Sequence, residues 1–145
     1  MMMSTKVILV TGSSSGIGLS TVRLLAEQGY KVFGTSRKTG VEIPGVQVHP
    51  LDVCSNESVK ACVKAVLKKT GRIDVLINNA GYVLSGAAED ATLEQAKAQF
   101  ETNFFGVVRV TNEVLPIMRK QKQGHIINIS SLAGIVPVPF WGFYN

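Results

Sequence analysis

The stretch KVILVTGSSSGIG, Lys6 to Gly18, decides how the rest of the chain is read. It begins as a continuous apolar run, Lys6–Thr11, of the kind expected for a strand buried on both faces. It then passes into three glycines, Gly12, Gly16 and Gly18, with three serines between the first two. Glycines allow a tight turn and let backbone N–H groups approach a phosphate seated on the positive end of the following helix. Ser14 and Ser15 add neutral hydroxyl donors, and Ile17 opens the helix. The spacing is GxxxGxG rather than the commoner GxGxxG, and no Gly-Lys-Ser/Thr follows as it would in a loop built for ATP. A dinucleotide is therefore the ligand that this strand, loop and helix are expected to hold.

The pattern repeats outward from that unit. Helical spacing from about residue 17 to 28 ends at Gly29, placed as a left-handed cap. KVFGTS, Lys31–Ser36, is the second expected strand, and the third lies within Val46–Val53. Ser55 is expected to cap a helix whose stripe is Val59, Cys62, Val63, Val66 and Leu67, closed by Gly71. Ile73–Asn78 and His125–Ser130 are the fourth and fifth strands. Between them Thr92 and Gln95 form a capping box for a helix expected to run to about Lys120, kinked near its end by Pro116. Strands alternating with helices predict one doubly wound α/β domain with a parallel, Rossmann-like sheet over residues 1–145, with ligands outside the carboxyl ends of the strands.

Composition narrows the functional classes. Hydrophobic residues make up 46% and charged residues 17%, enough apolar material for a core. The net charge of +5 comes largely with Lys60, Lys64, Lys68 and Lys69, read as one solvated helix face, and no nucleic-acid-reading motif accompanies it. Cys54 and Cys62 form no disulfide framework and no metal-ligand spacing, so no metal is expected. The lead-in Met1–Ser4 has no signal-peptide pattern, and the longest uncharged stretch is broken by Gly, Pro, Ser and Asn, which predicts no membrane span. A cytoplasmic protein is the expectation.

Taken together the motifs resemble the short-chain dehydrogenase/reductase family. TGSSSGIG is similar to that family's TGxxxGxG motif, and NNAG, with Asn79, Ala80 and Gly81, resembles its motif at the end of the fourth strand. In LDV, Asp52 stands where family members hold the adenine amino group, with Val53 beside it. Asn103 in ETNFFG matches the asparagine of the family's catalytic set, and Ser131 in INISS its serine. The family's tyrosine follows that serine by roughly a dozen residues, where Tyr144 falls. The resemblance implies hydride exchange between a nicotinamide cofactor and a carbonyl or secondary alcohol. It implies Tyr144 as proton donor and acceptor, Ser131 bonded to the substrate oxygen, and Asn103 holding a water. It also implies a homo-oligomer for the full-length protein.

Two features refine these expectations. Where an acid would bind the ribose 2′-hydroxyl of NAD, the chain reads Ser36-Arg37-Lys38. A guanidinium can bind a 2′-phosphate through paired hydrogen bonds, which predicts NADP(H), with NAD(H) as the alternative cofactor. The second is the ending, PFWGFYN. A free tyrosine has a pKa of about 10 and needs a neighbouring cation to work near neutrality. The family supplies a lysine four residues on, a position beyond Asn145. The expectation is a truncated, catalytically impaired chain, with apolar surface uncovered on the fifth strand and on the Phe100–Lys120 helix. The same aromatic ending hints at a hydrophobic substrate such as a steroid, retinoid or lipid carbonyl, although plain packing accounts for it equally. A non-catalytic NADP-binding regulatory or interaction module is the second reading, separated from the first by the presence of that lysine. A methyltransferase is the third, and the ordered Asn103, Ser131 and Tyr144 stand against it.

Overall fold

A computed structural model describes residues 5–145; Met1–Ser4, and with them the reading of that lead-in, lie outside the described residues. Five strands, β1 (Val7–Val10), β2 (Lys31–Ser36), β3 (Val46–Pro50), β4 (Val75–Asn78) and β5 (His125–Asn128), form one sheet in the order β3-β2-β1-β4-β5. Every pairing is parallel. The order reverses between β1 and β4, so the crevice above these two strands is the switch point at which such sheets bind ligands.

β1 is apolar throughout because the sheet is covered on both sides. Val7 and Leu9 face a cluster with Val59, Val63 and Val66 of helix α2 (Asn56–Thr70) and Val110, Val114 and Met118 of helix α4 (Gly106–Gln121). Ile8 and Val10 face the other way, towards Val22 of helix α1 (Gly16–Glu27), with Val32 and Ile77. Helices on both faces of a parallel sheet make the doubly wound Rossmann-like fold expected from the alternation of elements.

The helix ends follow the local chemistry. Ser55 accepts a hydrogen bond from the Ser58 N–H at the start of α2, and Gly71 ends it at φ 69°. Gly29 follows α1 at φ 82°. Thr92 and Gln95 form the reciprocal capping box of helix α3 (Leu93–Phe100). The lysines of α2 at 60, 64, 68 and 69 are exposed.

The helix expected to run unbroken to about Lys120 is divided. Between α3 and α4 lies a π turn, Glu101–Phe105, in which the Gly106 N–H bonds back five residues to the Glu101 carbonyl. A Cβ built on Gly106 would lie 2.7 Å from Val53 Cγ2, so the start of α4 closes directly on the loop after β3. Pro116 lies inside α4, which continues through it to Gln121. Strand β5 is flanked by β4 on one side only among the described residues, and Ile127 and Ile129 are exposed.

Cys62 lies in the α2–α4 cluster, where burial pushes its thiol up to about 11 from 9.0. The fold therefore favours the protonated form: this contribution is complete below the unfolded value and is lost as pH rises towards the folded one. Denaturant unfolding of the parent and Cys62→Ala chains at rising pH should show the parent's advantage at neutrality narrowing by about 2 kcal/mol at the alkaline end.

Candidate active site

Above the switch point a single cleft of about 580 Å³ runs along the carboxyl ends of β1, β4 and β5. Its floor is the glycine loop. Gly12 sits at φ 68° and Gly16 at φ 54°, in the left-handed region. A Cβ on Gly12 would lie 2.8 Å from the Cα of Ala80, and one on Gly18 would collide with the Gly12 carbonyl and the Asn79 side chain. The glycines are thus required by the close approach of the β1 and β4 ends.

That approach is fastened by polar bonds. Thr11 Oγ1 accepts from the N–H groups of Asn79 (2.9 Å) and Ala80 (3.0 Å). Asn79 Nδ2 donates back to the carbonyls of Thr11 (3.0 Å) and Gly12 (2.9 Å). Ser13 is buried and bonds through its N–H and its hydroxyl to the Thr35 carbonyl. Ser14, Ser15, Gly16, Ile17 and Gly18 line the cleft. Ser15 is the N-cap of α1 but makes no side-chain capping bond, and the first turn carries no acid. The opening N–H groups of α1 therefore have no side-chain cap, and Gly16, Ile17 and Gly18 of this first turn line the cleft. This arrangement fits a bound pyrophosphate.

At one end of the cleft Arg37, Leu51, Asp52 and Val53 form the wall. Asp52 is set by local bonds: its N–H donates to Ser58 Oγ (2.9 Å), and its Oδ1 accepts from the Cys54 N–H (3.0 Å). Ser36 and Lys38 do not reach the cleft. Ser36 is buried, and its hydroxyl oxygen accepts from the Lys38 N–H (2.9 Å), which shapes the turn that presents Arg37. Lys38 is exposed outside the cleft.

The other end brings together Asn79, Ala80 and Gly81 with Asn103, Ser131 and Tyr144. Asn103 stands on the π turn with its amide engaged in both directions by one residue. Its Nδ2 donates to the Tyr82 carbonyl (2.8 Å), and its Oδ1 accepts from the Tyr82 N–H (3.1 Å). Ser131 caps a short 3-10 turn, Leu132–Gly134, by accepting from the Ala133 N–H (3.2 Å), which leaves its own O–H to donate elsewhere. The ring of Tyr144 meets Trp141 edge-on at 5.7 Å, and its N–H bonds to the Trp141 carbonyl.

Sequence reasoning missed several wall residues. Tyr82 and Thr102 stand next to motif residues, so adjacency alone could have included them. Asn78 is the first residue of the NNAG motif, although it was not among the expected site residues. It is buried, and its amide nitrogen donates to Thr111 Oγ1 (3.1 Å) and Asn128 Oδ1 (2.9 Å), joining β4, α4 and β5 beneath the cleft.

With this geometry in place, comparison with known proteins is decisive for the family. The short chain dehydrogenase profile matches residues 6–145. A 3-ketodihydrosphingosine reductase from Bacteroides thetaiotaomicron is 48% identical over 143 residues, covering 99% of this chain and 53% of that protein. Retinol dehydrogenase 8 from Bos taurus is 41% identical over 149 residues, covering 93% of this chain and 47% of the relative. The crystal structure of the F189W actinorhodin polyketide ketoreductase with NADPH superposes with a TM-score of 0.89 at 35% identity, covering 97% of this chain and 58% of that one. The chain thus spans about half the length of the curated relatives it matches. A parallel sheet of order β3-β2-β1-β4-β5, a glycine cradle at its switch point and a profile match over nearly every residue have one conclusion: the chain belongs to the short-chain dehydrogenase/reductase family of oxidoreductases.

Proposed function

We propose that the cleft holds NADP(H) and that the protein exchanges hydride between this cofactor and a carbonyl or secondary alcohol. The observation that carries this is the continuity of one cleft, from Arg37 across the glycine cradle to Asn103, Ser131 and Tyr144. Bound there, the nicotinamide supplies the hydride chemistry. The chain's own residues do the rest. The first turn of α1 and the loop from Gly12 to Gly18 take the pyrophosphate. Asp52 and Val53 take the adenine, and Arg37 takes the ribose 2′-phosphate. Ser131 donates its free O–H to the substrate oxygen, and the Tyr144 hydroxyl gives or takes the proton there. Asn103 fixes that segment through its two bonds to Tyr82 and holds a water of the proton relay.

The substrate is an apolar carbonyl or alcohol. Tyr82 and Val83 line the mouth, and Leu132, Ile135 and Phe140 are exposed at 73%, 81% and 70% nearby in sequence to Ser131 and Tyr144. The names of the sphingoid-base reductase and the retinol dehydrogenase support the same class. We also propose that the whole protein is a cytoplasmic homo-oligomer, supported by the exposed Phe104, Phe105 and Val108 around the π turn.

One observation favours the second reading, a nucleotide-binding module without catalysis: among the described residues no lysine lines the cleft. Purified, this chain should bind NADPH yet turn over model ketones at under about a hundredth of a typical enzyme's rate. Family-like turnover measured at 340 nm would overturn that expectation. For cofactor choice, Arg37→Ala should weaken NADPH binding by about tenfold and leave NADH nearly unchanged, as titration calorimetry would show; equal NADPH affinity in both chains would remove Arg37 from the phosphate site. Light scattering should find the chain self-associated, and Phe104→Ser with Val108→Ser should shift it towards monomer.

A further inference from the structure

Three contacts tie the loop after β3 to the π turn, each through a residue of the cleft wall, Val53 or Thr102. Arg109, on α4, reaches back to three separate segments. Its Nη1–H donates to the Val53 carbonyl (2.6 Å), its Nε–H to Asn56 Oδ1 (2.8 Å) and its Nη2–H to Glu101 Oε1 (2.5 Å). Cys54 Sγ lies 3.3 Å from Thr102 Oγ1. Gly106 closes on Val53 with no room for a Cβ.

This assembly has a wall of the cleft at each end. On one side are Asp52 and Val53, and on the other Asn103 with its two bonds to Tyr82. Arg109 itself does not line the cleft. Its side chain is 21% exposed and that of Glu101 40%, so the assembly is half-buried and is held by the number and direction of its bonds rather than by exclusion of water. The planar fork spreads its donors over three nitrogens and so reaches three separated acceptors, whereas the three donors of a lysine ammonium radiate from a single atom.

We propose that Arg109 is a positioning residue that couples the two ends of the cleft, so that filling the adenosine end stiffens the Tyr82–Asn103 end. The coupling element is the rigid unit formed by Val53, Arg109, Glu101 and the π turn. Holding Val53 fixes Glu101, and fixing Glu101 holds the turn that presents Asn103 to Tyr82. Cofactor binding and the geometry of the reacting end are then set together. This inference rests on the cofactor site proposed above.

Adenosine 2′,5′-bisphosphate, which carries no nicotinamide, tests it in the 145-residue chain, with amide hydrogen exchange at Tyr82 as the readout. In the parent, saturating probe should slow that exchange at least about fivefold. In Arg109→Gln, still saturated with probe, the slowing should fall below about twofold. Glu101→Gln keeps the guanidinium on Val53 but loses the ion pair, and should give an intermediate value. Parent-like slowing in Arg109→Gln, or no slowing in the parent although the probe binds, overturns the coupling. If Arg109→Gln does not fold, parent-like slowing in Glu101→Gln overturns it instead. Failure of the parent to bind the probe at all defeats the cofactor site, and the coupling with it.

Discussion

Everything in this molecule depends on how closely the ends of β1 and β4 approach each other. Gly12 has no side chain because Ala80 occupies the place, and Gly18 has none because the Gly12 carbonyl and the Asn79 amide do. Thr11 and Asn79 then satisfy one another's backbone groups, so the crevice is formed without stranding a buried donor. The residues that open the crevice are the same ones that would clash if it were not needed. Fold and ligand site are therefore not separable properties here.

The strands and the helix ends were legible because each rests on a local rule. An apolar run with no alternation means a strand covered twice, and Leu9 and Val10, fully buried on opposite faces, are covered in that way. Ser55, Gly71 and the Thr92–Gln95 pair act where their chemistry says they should. The π turn was not legible. Nothing in ETNFF marks an interruption of the helix, and the turn ends where Gly106 packs on Val53, far away in sequence. The fates of Ser36, Arg37 and Lys38 show the same limit. Composition marks three polar residues at the end of β2 and just after it, but the turn made by the Ser36 hydroxyl is what leaves Arg37 on the cleft and Lys38 off it.

The asparagines illustrate how one residue type is used for different ends. Asn79 latches two strand ends, Asn78 joins β4 to β5 and α4, and Asn103 holds the segment at Tyr82. Asn103 uses its amide as donor and acceptor at once, whereas Asn78 and Asn79 bond through Nδ2 alone, and the buried Asn78 Oδ1 has no partner among the described residues. An aspartate would keep the shape and lose the donor. That distinction matters most at the back of a cleft whose charged wall residues are Arg37 and Asp52.

The latch between Thr11 and Asn79 joins residues 68 apart in sequence. No local segment can hold that crevice, since it exists only while the loop between them is closed. A molecule seated there binds the folded chain and not the unfolded one, so its binding free energy is added, by mass action, to the stability of the whole sheet. Occupancy of the cleft is in this sense a measure of how much of the chain is folded at all.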